Sequence, residues 1–263
     1  MTRLFMERTF VGTMDLNCDM GESYGVYKLG DDMAMLEVIT TANVACGFHG
    51  GDPEVMAATM SAAKKNGVAV GAHPGFPDLA GFGRRRIPYS TDEIVRFVAY
   101  QIGAAAAMAT LVGHKLTSVK AHGALGNMAA EEIEIARAVA RATKAVDPSL
   151  ALLVIGGSQL QRAGEEAGLR LVHEIYADRA YGDDGQLVSR KIEGAVIHDP
   201  DVVMRRVVDM VAESAVITTT GKRLPTKIES VCVHGDTPGA VTIGRNVRAG
   251  LERAGIKLKP FAA

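Results

Sequence analysis

The sequence predicts a single α/β domain folded as a distorted TIM-like (β/α) barrel with about seven strands. Short β-rich segments alternate with amphipathic helical segments along the 263 residues, and no Pro- or Ser-rich linker divides them. Polar, glycine-containing segments follow most of the strands, as they do at the functional face of such barrels. Seven strand–helix units favour a closed parallel barrel over an open doubly wound sheet. We therefore assign residues 1–263 to one domain, with 1–13 as an N-terminal extension.

Seven short apolar segments, rich in β-branched residues, are the candidate strands. In chain order they cover residues 13–18, 39–46, 68–72, 117–121, 150–155, 169–175 and 229–233. The apolar run AVI at 195–197 leaves the strand count open by one.

Helix signals lie between these segments. Asp52 and Pro53 predict a cap and a first helical residue, and Gly67 predicts the end of that helix. Ser90 and Glu93 predict a capping box. Apolar residues at helical spacing predict further helices at 94–105, 133–146, 203–211 and 240–254, of which the last two open at Asp199–Pro200 and Thr237–Pro238.

Composition excludes several classes of partner. The 29 basic and 30 acidic residues are interspersed, without the basic stripe expected of a nucleic-acid-binding protein. Cys18, Cys46 and Cys232 form no C-x-x-C site and no disulfide framework, which fits a reducing cytoplasm. Charges interrupt the N-terminal segment, and the longest apolar run, 102–113, is shorter than the roughly 20 residues of a membrane span. We therefore expect a cytoplasmic protein without nucleic-acid or membrane partners.

Polar residues that follow different strands predict a functional site. In a barrel these residues emerge at one mouth, because the carboxyl ends of parallel strands share one face. A single histidine after a strand could equally cap a loop, but several together favour a functional site. His114, His173 and His198 do not follow a strand in this way, and for them we expect structural or surface roles. The residues expected to converge are Asp19, Glu22, His49, His73, His122, His234 and Asp236.

Basic and glycine-rich segments predict anion binding near that mouth. Strand alternation leaves open whether Lys120 enters the lumen or reaches outward to solvent. The segment 74–90 is long for a βα connection and is predicted to form a lid, whose Arg84 and Arg85 suit phosphate or carboxylate, while at least one arginine of the run is expected to be solvated. Gly156, Gly157 and Ser158 precede a helix whose N-terminus could bind an anion. We expect the three cysteines to be buried rather than nucleophilic.

Seven motifs together resemble the LamB/YcsF family, in order from about residue 14 to the C-terminus. The resemblance implies a barrel related to the glycoside hydrolase and deacetylase superfamily. It further implies the A subunit of an ATP-dependent 5-oxoprolinase, which acts with separate B and C subunits to open the lactam of 5-oxoproline. The motifs are DLNCDMGESYG, ANVACGFHGGDP, GAHPGFPDLAGFGRR, VKAHGALGNM, ADRAYGDDGQLVSR, GAVIHD and CVHGD.

The resemblance also implies site residues. Residues that match the family motifs include Asp52 and Asp78, together with most of the mouth and anion-binding residues already named. ATP is then a co-substrate, with Mg, at a site that is unconventional or shared with another chain because no P-loop or Rossmann fingerprint is present. The catalytic candidates are Asp19, Glu22, His49, His73, Lys120, His122 and Asp236. The candidates for substrate or phosphate binding are Arg84, Arg85, Asp178, Arg179, Gly156, Gly157 and Ser158.

Two alternatives stay open. Asp19, His49, His73 and His122 could hold a metal ion in a deacetylase, although no H-x-x-x-H or H-E-x-x-H spacing is present and we expect no tightly bound metal. The other alternative is a non-catalytic subunit that binds the small-molecule lactam. A homo-oligomer is compatible with either alternative. The chain departs from the family pattern at Gly50, Ala121, Gly126 and Thr237.

Overall fold

The computed structural model describes residues 12–236 and 239–262. Its strands are β1 (Thr13–Met20), β2 (Thr41–Ala45), β3 (Ala69–His73), β4 (Leu116–Val119), β5 (Ala151–Ile155), β6 (Leu171–Tyr176), β7 (Ala215–Ile217), β8 (Arg223–Pro225), β9 (Ser230–His234) and β10 (Lys257–Leu258). Its helices are α1 (Asp32–Leu36), α2 (Pro53–Lys65), α3 (Thr91–Leu111), α4 (Gly123–Glu131), α5 (Ile133–Val146), α6 (Gln159–Ala167), α7 (Pro200–Glu213) and α8 (Ala240–Arg253), with a 3₁₀ turn at Leu79–Gly81.

Seven parallel strands close into a barrel, which confirms the predicted fold. The order is β1-β2-β3-β4-β5-β6-β9, and β9 pairs back onto β1. The segment 195–197 is not the extra strand that the sequence left open, because its backbone makes only a bridge between Val196 and Arg179. The chain instead adds β10 beside β1 and the antiparallel β7–β8 hairpin, both too short to stand out as hydrophobic patterns.

The predicted helix signals are found where the structure describes them. Asp52 caps α2 by accepting from the Val55 amide at 2.9 Å, and Ser90 and Glu93 form the capping box of α3. The predicted start of the last helix at Thr237 and Pro238 lies outside the described residues. That helix ends at Arg253, so Ala254 is its exposed C-terminal cap rather than part of the buried face.

The apolar core lies between the barrel strands and the surrounding helices. Ile94, Val98 and Ile102 of α3 are fully buried, and each such side chain contributes about 1.5–3 kcal/mol relative to an exposed one. Within the described ranges, α3 has the length and hydropathy of a membrane span, a test that barrel helices also pass. Its buried face, which includes these three residues, packs against the barrel.

The barrel interior is polar. Along β1, Leu16 and Cys18 join the apolar core, whereas Asp15, Asn17 and Asp19 alternate with them. Each of these three polar side chains bonds to a side chain of an adjacent strand. All five side chains are buried. The alternation of a strand therefore delivers a ladder of polar groups that ends at the barrel mouth.

Candidate active site

A cavity of about 720 Å³ opens at the carboxyl ends of the strands. Its lining draws on residues that are far apart in sequence, as predicted for a barrel mouth. The structure brings together the candidates Asp19, Glu22, His73, Arg84, Arg85, Lys120, His122, Arg179, His234 and Asp236 at this cavity. His49 lies directly behind it, stacked on His122.

Lys120 forms the centre of the cavity floor. The side chain is 2% exposed, so it enters the lumen rather than reaching out to solvent. Its Nζ atom lies 2.9 Å from Asp19 Oδ1, 3.2 Å from Glu174 Oε2 and 2.9 Å from Cys232 Sγ. Burial by itself would lower the pKa of Lys120, but Asp19, Cys232 and Glu174 raise it well above its usual range. A permanent positive charge therefore sits between two buried carboxylates.

Asp19 stays ionised although it is buried. Burial by itself would raise the pKa of this carboxyl, but His73 and Lys120 hold it well below its usual range. Its Oδ2 atom lies 3.4 Å from His73 Nε2, and Asn43 donates to Oδ1 at 2.9 Å. Asp19 is therefore an anchored carboxylate with both oxygens partnered.

Glu22 and three histidines form a second cluster beside the floor. Glu22 Oε1 lies 3.2 Å from His49 Nε2 and 3.4 Å from His122 Nδ1, which in turn is 3.0 Å from His73 Nε2. Burial and the nearby Asp19 raise the pKa of Glu22. Burial and the neighbouring imidazoles lower the pKa of His49 and His122 well below the usual range, so both rings are neutral.

His234 and Asp178 form a third group, in which His234 on β9 lies next to Asp19 of the neighbouring strand β1. His234 Nδ1 donates to both oxygens of Asp178, at 2.8 and 3.0 Å, and its ring stacks on Tyr176. The predicted substrate-binding residue Asp178 lies behind this histidine, 1% exposed. The pair fixes the orientation of the ring and leaves Nε2 to exchange a proton.

The predicted arginines have different partners. Arg84 pairs with Asp236 at 2.7 Å on the cavity rim, where its side chain is 35% exposed. Arg85 bonds to Asp78, which lowers the pKa of that carboxyl. Arg179 donates to the Val188 and Ala195 carbonyls and so anchors the loop before α7. Arg84 is the arginine best placed to meet an anionic ligand. The side chains of Arg85 and Arg86 are 65% and 55% exposed, and Arg86 pairs with Glu131 and Glu132.

The segment predicted as a lid packs onto the histidine cluster. The Phe82 carbonyl accepts from His122 at 2.8 Å, and the Gly83 carbonyl accepts from the Ala124 amide at 2.9 Å. At Gly83 φ is +61°, and a Cβ atom there would lie 2.8 Å from both His122 and His49. Glycine therefore allows this segment to cover the two rings; its movement as a lid stays a prediction.

Sequence comparison identifies the family. The LamB/YcsF family profile matches residues 14–263, which is nearly the whole chain. The chain belongs to the LamB/YcsF family.

Relatives match this LamB/YcsF chain over nearly its whole length. A protein of Rhodopseudomonas palustris CGA009, named as the A subunit of 5-oxoprolinase, is 58% identical over 95% of this chain and 98% of the relative. A protein of the same name from Gluconobacter oxydans is 56% identical over 94% of this chain and 97% of that relative. The crystal structure of a lactam utilization protein from Thermus thermophilus is 44% identical, with a TM-score of 0.90 over 95% of this chain and 100% of that one.

The glycine-rich turn after β5 is divided between two cavities in the LamB/YcsF barrel. Ser158 caps α6 by accepting from the Gln161 amide and also borders the main cavity. Gly156 and Gly157 line a separate cavity of about 390 Å³. The structure thus does not bring these two glycines to the other candidate residues.

Other residues of this LamB/YcsF site were missed from the sequence. Glu174 and Tyr176 lie on β6, whose alternation LVHEIY could have identified them as inward-facing. Asn17 was missed as well, although the alternating pattern of β1 could have identified it as inward-facing. Cys232 is buried as expected, and burial raises the pKa of its thiol, but its contact with Lys120 was not expected.

Two departures from the LamB/YcsF pattern bring backbone segments close together. A Cβ atom at Gly50 would lie 2.8 Å from the Glu22 carbonyl oxygen, and one at Gly126 would lie 2.6 Å from the Ala121 carbonyl oxygen. Gly126 also borders the main cavity, which is wider there than a large side chain would leave it.

Proposed function

We propose that this chain is the A subunit of a 5-oxoprolinase that opens the lactam of 5-oxo-L-proline to give L-glutamate, coupled to hydrolysis of ATP to ADP and phosphate. The observation that carries the proposal is 58% identity over 95% of the chain to a protein named as the A subunit of 5-oxoprolinase. A structural relative named as a lactam utilization protein supports the same substrate class. The free, buried cysteines fit a reducing cytoplasm as its compartment.

The cavity offers the groups that amide hydrolysis requires. Attack by water needs a base, and departure of the ring nitrogen needs a proton donor. Asp19 is our candidate base, because Lys120 and His73 keep it ionised at the floor. His234, oriented by Asp178 and next to Asp19 on the neighbouring strand, can pass a proton to the leaving nitrogen. Lys120 provides a fixed positive charge beside the reacting atoms.

An unstrained amide resists water, and coupling to ATP overcomes this barrier. We propose that the γ-phosphoryl group of ATP, with Mg, is transferred to the lactam oxygen, which releases ADP. Water then attacks the activated carbon and the ring C–N bond breaks, which leaves an acyl phosphate. A second water hydrolyses this anhydride to the carboxylate of glutamate and free phosphate. Arg84 at the cavity rim is our candidate for contact with the phosphoryl oxygens. Separate B and C subunits complete the reaction and contribute to the nucleotide site.

The test is glutamate release from 5-oxoproline in the presence of ATP. Three mixtures are compared: this chain alone, this chain with its B and C partners, and the partners alone. We expect turnover only when all three proteins are present. Turnover by the partners alone, or none with partners that are competent with another LamB/YcsF protein, contradicts the proposal.

Variants of the cavity test the assigned roles. Asp19→Asn and Asp178→Asn should each lower turnover by roughly 10²–10⁴-fold, the usual contribution of a general acid or base. Asp209→Asn on the exposed side of α7 is the matched control and should retain full turnover. Unchanged turnover in Asp19→Asn would remove Asp19 from the mechanism, while the place of the chain in the enzyme complex would still depend on the mixing experiment.

A further inference from the structure

We propose that Glu22, His49, His73 and His122 form a binding site for one divalent transition-metal ion, with zinc as the preferred ion. Each side chain offers one ligand atom, and these atoms all lie within 4.8 Å of one another. The inference concerns ion binding by this chain and does not depend on the proposed lactam chemistry.

Backbone carbonyls fix the tautomers of two of the histidines. His73 Nδ1 lies 2.8 Å from the Lys120 carbonyl oxygen, and His122 Nε2 lies 2.8 Å from the Phe82 carbonyl oxygen. A carbonyl oxygen can only accept, so both of these nitrogens carry hydrogen. In each neutral ring the other nitrogen is therefore a bare lone pair. Backbone carbonyls orient metal-bound histidines in the same way.

The two bare nitrogens face each other. His73 Nε2 and His122 Nδ1 are 3.0 Å apart, at a distance where two lone pairs repel unless a cation or a proton lies between them. Without a metal ion, a proton on His73 Nε2 would fill this position, and Asp19 Oδ2 at 3.4 Å would stabilise the resulting charge. A metal ion instead accepts both lone pairs at once and uses the neutral form of each ring.

Glu22 and His49 complete a four-atom donor set. Glu22 Oε1 lies 3.2 Å from His49 Nε2 and 3.4 Å from His122 Nδ1. Donor atoms about 2.0–2.1 Å from a tetrahedral zinc ion are separated from one another by about 3.3 Å. The shortest contacts of the cluster bracket this value. Three imidazoles and one carboxylate suit zinc and its neighbours rather than calcium or magnesium.

The surroundings hold the donors in place before an ion arrives. All four side chains are at most 7% exposed. His49 and His122 stack with a centroid distance of 3.6 Å and an interplanar angle of 2°, and Phe82 packs edge-on against both. Little side-chain freedom remains to be lost on binding.

Chain spacing explains why the sequence led us to expect no tightly bound metal. The ligands follow three different strands and the β1 loop, so no short H-x-x-x-H pattern can form. The sequence-based alternative placed Asp19 in the donor set, whereas in the structure Glu22 occupies that place and Asp19 is held by Lys120. Our proposal replaces the expectation of no metal.

Metal content of the tag-free chain tests the proposal. The protein is dialysed against excess Zn²⁺, then against metal-free buffer, and zinc per chain is measured by elemental analysis. A parallel Co²⁺ titration of the unmodified chain follows the visible absorption of a four-coordinate cobalt ion. We expect about one ion per chain and a saturable cobalt spectrum, by the one-site geometry of such centres.

Variants locate the ion. Glu22→Gln and His122→Gln should each weaken metal affinity by at least about tenfold, the lower limit known even for residues that only orient a ligand. The exposed His198→Gln is the matched control and should bind normally. Circular dichroism verifies that each variant is folded.

Two results would overturn the proposal. One is zinc below about a tenth of an ion per chain together with no cobalt spectrum in the unmodified protein, which would mean that a proton separates the nitrogens. The other is metal binding that survives in folded Glu22→Gln and His122→Gln. Bound metal without 5-oxoproline turnover would count only against the proposed function, and turnover without metal only against this site.

Discussion

Replacing Lys120 by methionine should destabilise the protein strongly. The methionine fills a similar volume but removes the positive charge between Asp19 and Glu174, which lie 2.9 and 3.2 Å from Nζ. Asp19 keeps His73 as a partner, whereas Glu174 loses its only ion-pair partner among the described residues. Lys120→Met therefore leaves an uncompensated buried carboxylate.

The magnitude follows from this geometry. Breaking a buried ion pair by removing one partner costs about 3–5 kcal/mol, because the remaining charge stays out of water. For a chain of this size that corresponds to a melting temperature roughly 6–20 °C lower. Lys120→Met combined with Glu174→Gln should recover about 1–3 kcal/mol, because the orphan charge is then absent.

Denaturant unfolding followed by circular dichroism measures these free energies. The exposed Lys115→Met is the control and should change stability by no more than about 0.5 kcal/mol. A loss below about 1 kcal/mol for Lys120→Met, or no recovery in the double variant, would refute the view that Lys120 compensates these carboxylates.

Three further predictions concern pH, a tight turn and the rim. Burial raises the pKa of Asp15 to about 6, so the protonated carboxyl stabilises the fold below about pH 4. This contribution is lost as the pH rises from 4 to 6. The unfolding free energy of the wild type, compared with that of Asp15→Asn, should therefore fall by about 3 kcal/mol across that range. Gly51 has φ +78°, and a Cβ atom there would lie 2.8 and 2.9 Å from two backbone carbonyl oxygens. Gly67 has a similar φ of +67° but open space around the position of a Cβ atom. In urea unfolding, Gly51→Ala should therefore lower the free energy of unfolding by about 1–3 kcal/mol more than Gly67→Ala. Arg84→Ala should raise the KM for ATP of the complete enzyme about 10–100-fold, because charged hydrogen bonds to the phosphoryl oxygens are lost. Arg141→Ala on the outer helices is the control and should leave this KM unchanged.

Each of these predictions has a result that contradicts it. Parallel pH profiles for the wild type and Asp15→Asn would mean that folding leaves the pKa of Asp15 unchanged. Equal costs for the two glycine variants would mean that the turn can move away from the new methyl group. An Arg84→Ala enzyme with unchanged KM and unchanged kcat would mean that this guanidinium contacts neither ATP nor the transferred phosphoryl group.

Much of the barrel could be predicted because strands and helices carry local signals. Asp52 and Ser90 identify helix starts whatever the rest of the chain does. The β7–β8 hairpin was missed because three-residue strands show almost no periodicity. Placing polar residues after strands correctly located His73 and His122 at the mouth, since barrel geometry alone brings strand ends together.

Pairings across the lumen could not be predicted in the same way. They depend on register between strands, which no local pattern encodes. For this reason Asp178 was expected to contact substrate but lies behind His234, and Glu174 was not anticipated beside Lys120. Arg85 was expected to bind an anionic ligand, yet its charge is directed to Asp78, seven residues earlier in the chain.

The closure of the barrel between β1 and β9 has a consequence for synthesis of the protein. Asn17 and Asp15 both bond to Ser230, more than 210 residues later, and β1 is held on one side by β9. A nascent chain therefore carries β1 for most of its translation without one of its two neighbours in the barrel. The ribosome must release residues 230–234 before the first strand has both neighbours, so a message truncated before residue 230 encodes an open sheet with an exposed polar edge.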